Sequence, residues 1–182
     1  MAPPCSFLSS EPVSEIISLA PPEIDALDLR AVNNCLQAWL ATPDITVHEQ
    51  KLGFNVTYPR PPEEPDLELS ELAPVRLWFI ALDTRYPWLP FFLDWRNGEL
   101  VRYAAMLIPH QFSRQQGIQF NPQGLDIFVM HKALTLWDWL ERHKLPGEGR
   151  IRSLAEMFGY ELDHDFFQVL RDRGPVERVS KE

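Results

Sequence analysis

The sequence predicts a single α+β domain, a small and mostly antiparallel sheet packed by helices. Three observations carry that prediction. Between Pro122 and Arg142, the residues Leu125, Val129, Met130, Ala133, Leu136, Trp137 and Leu140 recur at helical spacing. Earlier, Phe54 to Tyr58 alternates apolar and polar residues, and the runs RLWFIAL (76–82) and WLPFFLDW (88–95) are rich in β-favouring aromatics. Prolines (17) and glycines (8) then cut the chain into short elements. A length of 182 residues suits one domain with a real core.

Residues 1–22 carry Pro3, Pro4, Pro12, Pro21 and Pro22 among small polar residues and read as a flexible N-terminal arm. Within the arm, Val13 to Leu19 fits a short strand or a helical turn. The globular part is expected over 23–173. Its first helix spans about 28–41, with Asp28 as N-cap, Leu29, Val32, Leu36, Trp39 and Leu40 on one side, and Pro43 as its stop. Cys35 lies on or beside that apolar side and reads as a small packed side chain. The segments 45–50 and 54–58, with Gly53 between them, read as a hairpin. Residues 59–74 are a proline-rich connector with Glu63, Glu64, Asp66, Glu68 and Glu71 and no cation after Arg60. It reads as a solvated loop, stiffened by proline and extended by like charge, or as an acidic edge for a basic partner.

Arg76 to Gln111 holds three of the six tryptophans. Residues 76–82 read as a buried strand, 83–87 as a turn and 88–95 as a second strand, with Pro90 at its edge or beginning. Asn97-Gly98 fits either a hairpin turn or a helix start with Asn97 as N-cap. The helix, over 99–108, is preferred: Ala104-Ala105-Met106 are helix formers, and Leu100, Tyr103, Ala104, Leu107 and Ile108 share a face. A polar loop follows (110–121), then the long helix (122–142), whose polar stripe is His131, Thr135, Asp138 and Arg142. Phe128 and Trp139 border that stripe beside Lys132, where large aromatics serve as protein contacts or pack under a loop. Short helices are expected at about 151–158 and 163–171, the second capped by Asp163, with 174–182 as a tail.

The formal charge of −9 opposes non-specific binding to nucleic acid or anionic membrane and suits docking on a basic protein surface. The last two helices resemble helix-turn-helix, but Asp163-His164-Asp165 brings the wrong charge to a DNA groove. Those acids cap a helix more simply than they hold a metal. No apolar run reaches the roughly 18 residues of a membrane helix. Five acidic residues precede the first basic one, Arg30, which fits neither a secretory signal nor a transit peptide; a cytoplasmic location is expected. Cys5 and Cys35 are too few for a disulfide framework, a zinc site or an iron–sulfur cluster. Phosphate loops, nucleophile elbows and metalloprotease motifs are absent. No cofactor is expected.

Two uses of the centre remain. Asp83 and Asp94 each close a predicted strand, near Arg85 and Arg96. As neighbours they would share a rim with His110 for acid–base work; otherwise they form Asp–Arg networks that fix the turns. The second use is a contact surface, since Trp, Tyr and Arg dominate interface energetics. On that reading Arg85, Tyr86, Trp88 and Arg96 are candidate partner-binding residues, joined by Tyr103, His110 and Gln111. The helical Phe128, Lys132 and Trp139 complete the set.

A longer pattern runs through the same residues: Asp83 with Arg85-Tyr86-Pro87-Trp88-Leu89-Pro90, then Leu93-Asp94-Trp95-Arg96 and Gly98-Glu99-Leu100. Arg102-Tyr103-Ala104-Ala105-Met106-Leu107, Pro109-His110-Gln111 and Phe120-Asn121-Pro122 extend it. Over about residues 75–140 it resembles the chlororespiratory reduction six family of cyanobacteria and plastids. The resemblance implies a non-enzymatic assembly factor for the photosynthetic NADH dehydrogenase-like complex. Its implied partner is the ferredoxin-like iron–sulfur subunit I of the hydrophilic arm, or an intermediate that contains it. It implies neither catalytic residues nor a cofactor. Without a transit-peptide pattern, the chain resembles the cyanobacterial members, in the cytoplasm with visits to the thylakoid surface.

Overall fold

The computed structural model describes residues 14–174. Its first strand, β1 (Glu15–Leu19), runs parallel to β2 (Leu52–Val56), with Glu15 opposite Leu52 and Leu19 opposite Val56. Alternation decides which way β1 faces: Ile17 and Leu19 are buried, while Ile16 and Ser18 are exposed. Parallel strands need a long crossover. Here it contains α1 (Pro21–Asp25), α2 (Arg30–Leu40) and a 3₁₀ turn at Ile45–His48 that Asp44 caps by accepting from Thr46 N. On its other edge β2 meets irregular backbone. Leu52 N donates to the Phe92 carbonyl (2.7 Å) and Asp94 N to the Leu52 carbonyl (2.8 Å).

Helices build the rest: α3 (Ala73–Arg85), α4 (Glu99–Leu107), α5 (Pro122–Arg142), α6 (Glu148–Met157) and α7 (His164–Arg173). A second small sheet, β3 (His110–Ser113) with β4 (Gly117–Phe120), is an antiparallel hairpin between α4 and α5. Caps set several helix ends. Asn121 accepts from Gly124 N at the start of α5, where Pro122 needs no donor partner. Asp163 accepts from Phe166 N at the start of α7. Before α4, Gly98 takes φ +78°, a left-handed conformation that favours glycine, and Asp94 accepts from Asn97 N.

The core lies among α3, α4 and α5, closed by the β1–β2 sheet, α2 and α6. Aromatic edges and faces fill it: Trp78 meets Phe54 and Phe79 edge-on, and Trp88 stacks on Trp139 at 5.1 Å between centroids. The buried indole of Trp78 still finds a partner, donating to the Asp28 carbonyl at 3.0 Å.

The α+β class holds, and the helices expected at about 28–41, 99–108, 122–142, 151–158 and 163–171 are present with ends shifted by up to three residues. The strands differ. Residues 76–82 belong to helix α3, buried through Val75, Trp78, Phe79 and Leu82. Residues 88–95 form a 3₁₀ turn at Leu89–Phe91 and the bridge at Leu93, because Pro87 and Pro90 deny a ladder its donors. Residues 45–50 are mostly the 3₁₀ turn, so β2 pairs with β1 and not with them. The expected antiparallel sheet is therefore parallel, and the antiparallel pair sits in the stretch read as a polar loop, 110–121. The arm expected over 1–22 is packed from β1 onward. Its first 13 residues and the tail after Gly174 lie outside the described residues. In the connector, Glu63, Glu64, Asp66 and Glu68 are exposed, and Arg60 folds it on itself by donating to the Leu67 carbonyl at 2.6 Å. No helix among the described residues is long and apolar enough to cross a membrane.

Candidate functional site

Helices α3 and α5 meet at a charged contact inside apolar walls. The Lys132 side chain is 1% exposed, and its ammonium donates to Asp83 Oδ1 and, at 3.1 Å, to the Pro87 carbonyl. The Tyr103 hydroxyl of α4 donates to the same Asp83 oxygen. The rings of Tyr103 and Phe128 lie 5.6 and 5.8 Å from Lys132 Nζ and complete its surroundings. Burial lowers the Lys132 pKa against the pull of Asp83. Burial, reinforced by the Asp83 charge, holds the Tyr103 phenol well above its ordinary value. His131, one residue before Lys132, is lowered by burial and then by the Lys132 cation, with Asp83 opposing.

Asp83 and Lys132 form the polar end of a cleft of about 240 Å³. Its walls are Leu107, Ile108, Pro109, Ile127 and Phe128, with His131 and Gly124 at the α5 side. Gly124 lets the first turn of α5 close on α4: a Cβ there would stand 3.0 Å from Ile108 Cγ2. The mouth is apolar. Ile127 is 71% exposed, and on α3 Ile80, one turn before Asp83, and Leu77 are exposed as well. Isolated exposed aliphatics are ordinary, but Ile127 lines the cleft itself.

The structure divides the sequence-predicted contact residues. Tyr86, Tyr103, Phe128, Lys132 and Trp139 are buried and serve the core. The Tyr86 hydroxyl donates to Asn33 Oδ1 at 2.7 Å, tying the end of α3 to α2. Trp88 is half-buried on Trp139. His110, at the start of β3, donates from Nδ1 to the Ile108 carbonyl (2.8 Å), and its Nε2 pairs with the Ser70 hydroxyl (3.1 Å). Arg85, Arg96 and Gln111 remain exposed. They lie on separate faces: Arg85 lines a pocket with Asp28, Arg30 and Asn33, Arg96 lines another with Glu49 and Asp94, and Gln111 is on β3.

Nor do Asp83, Asp94 and His110 gather as an acid–base set. Asp83 belongs to the α3–α5 cleft, and Asp94 to the polar pocket beside the β2 edge, where Asn97 Nδ2 donates to it at 2.5 Å. His110 is engaged by Ser70. The Asp–Arg networks do not form either: lysine, tyrosine and asparagine are the partners of these two aspartates. Among the described residues, no group of three or more His, Cys, Asp or Glu is arranged to hold a metal.

Ile127, Ile80 and Leu77 were missed as surface residues. One signal was available: Ile127 stands four residues before His131, so an isoleucine interrupts the polar stripe of α5. Reading 76–82 as a strand hid the outward side of α3.

No solved structure matches the chain. A match to the family described as Chlororespiratory reduction 6 covers residues 19–169, which takes in the last residue of β1, all of β2, the cleft and most of α7. The chain belongs to the Chlororespiratory reduction 6 family.

Proposed function

We propose that this chain is a non-enzymatic assembly factor for the photosynthetic NADH dehydrogenase-like complex, binding the ferredoxin-like iron–sulfur subunit I of its hydrophilic arm. Family membership carries the reading and fits a role in assembly of that complex. The described surface supports a binding role. Tyr86, Tyr103, Phe128, Lys132 and Trp139 are spent on packing, and the exposed Ile127 borders the α3–α5 cleft. A client laid on Leu77, Ile80 and Ile127 would bury them against a rigid aromatic core, the arrangement in which anchors contribute most to affinity. Assembly would take place in the cytoplasm, with the complex delivered to the thylakoid surface.

The test is co-purification of subunit I with the wild-type chain and with Ile80→Asp and Ile127→Asp variants. Both substitutions lie on exposed sites. The expected result is capture by the wild-type chain and at least a tenfold loss in each variant. Equal capture by all three would remove this face from the proposal. Unchanged amounts of the complex in cells lacking the gene would remove the assembly role itself.

A further inference from the structure

We infer that the α3–α5 cleft is a socket for one cationic side chain, a lysine or arginine of the client. This rests on the reading that the client docks on that face. An ionised carboxylate has about four acceptor positions on its two oxygens. Lys132 and Tyr103 both donate to Asp83 Oδ1, and Oδ2 takes no hydrogen bond among the described residues. Unlike Lys132, the Asp83 side chain keeps 21% exposure, and it lines the cleft. Ile127, Leu107 and Pro109 line the same cleft. An occupant therefore needs a long aliphatic stem ending in a hydrogen-bond donor, which describes lysine and arginine.

Charge favours the same occupant. Asp83 and Lys132 balance each other, so the cleft is not itself strongly acidic. The chain around it, however, carries a formal −9, which attracts cations and repels acidic segments. His131 is the other titratable group lining the cleft, and its lowered pKa keeps it from adding a competing positive charge at neutral pH. Lys132 cannot swing out to take the place of the incoming cation, because Pro87 and the Tyr103 and Phe128 rings enclose it.

The experiment has two arms. In the first, methyl NMR of the full chain follows Ile108, Ile127 and Leu107 during titration with four five-residue alanine peptides, acetylated and amidated, whose central residue is lysine, arginine, norleucine or glutamine. Saturable shifts at the cleft with lysine or arginine, at least fivefold tighter than with norleucine or glutamine, are expected. Equal binding of norleucine would reduce the cleft to an apolar groove. Equal binding of glutamine would make it a site for neutral donors, and silence with all four would leave no socket; each of these overturns the inference. In the second arm, the paired variant Asp83→Asn/Lys132→Met removes the carboxylate without orphaning the lysine. Capture of subunit I should fall at least tenfold while the melting temperature stays near wild type. Undiminished capture by this variant, with loss in Ile127→Asp, would overturn the socket and leave the docking face standing. Undiminished capture in both would overturn the docking face as well.

Discussion

Lys132 of α5 donates to Asp83 of α3 across 49 residues of sequence, with its own side chain sealed from solvent. An ion pair in such a place is held by mutual need. Neither charge is stable in the core without the other, and the pair is no stronger than good apolar packing would be. It ties the two helices that carry the proposed docking face.

The pair should therefore behave as a unit under mutation. Lys132→Met leaves Asp83 with Tyr103 and partial solvent, at an expected cost of about 3 kcal/mol. Asp83→Asn strands a buried ammonium and should cost about 4 kcal/mol. The combined variant should lie within about 1 kcal/mol of wild type. Urea unfolding of the four proteins gives the coupling, and additive losses would refute it.

The residues first read as contacts should instead report on stability. Trp139→Ala removes a buried ring that stacks on Trp88 and touches Phe91 and Phe92, and should cost about 3–5 kcal/mol. Tyr86→Phe removes only the bond to Asn33, at about 1 kcal/mol, and should not change client capture. Thermal melts and capture assays on the same samples separate the two effects.

Cys35 should be a slow thiol. Burial, then the charge of Glu15, pushes it up to about 11. With Cys5 replaced by serine, reaction of the native chain with a thiol reagent near pH 8 should be roughly a hundredfold slower than that of an ordinary exposed cysteine. Denaturant should restore the ordinary rate. Fast native reaction would contradict the half-buried setting of Cys35 on α2.

Alkaline pH should loosen the contact between α5 and the turn after α6. The Tyr160 hydroxyl donates to Asp126, which pushes the phenol up to about 12. The native phenol holds its proton more tightly than the unfolded one, so the bond contributes fully below pH about 10 and is lost as pH rises through about 12. The phenolate absorbance that Tyr160→Phe removes should titrate near the upper value. Asp126→Asn should bring it down.

The helices with one clear apolar stripe were legible in the sequence, α5 above all, because tertiary packing and periodicity point the same way there. The α3 stretch was not. Trp78, Phe79 and Leu82 face the core while Leu77 and Ile80 face solvent, so the segment is apolar all round and carries no period. Short apolar runs with aromatics fit a strand equally well. The β3–β4 hairpin was hidden by polarity: Gln111, Gln119 and the turn residues face water, and the hairpin buries little. As for the site, Lys132 was legible as a residue of interest for the wrong reason. Its neighbours on the sequence marked a border of the polar stripe, and only the fold shows that Asp83 meets it from another helix.

The order β1, β2, Leu93 has a consequence for how the chain is made. On the ribosome, Glu15–Leu19 emerges with no strand to pair with until Leu52–Val56 follows, and the far edge of that pair closes only once the backbone around Leu93 has been synthesised. Pairing between such distant segments is slow. The nascent β1 segment therefore spends its early life as an uncommitted edge, with Ile16 and Ile17 open to any chaperone or neighbouring nascent chain that reaches it first.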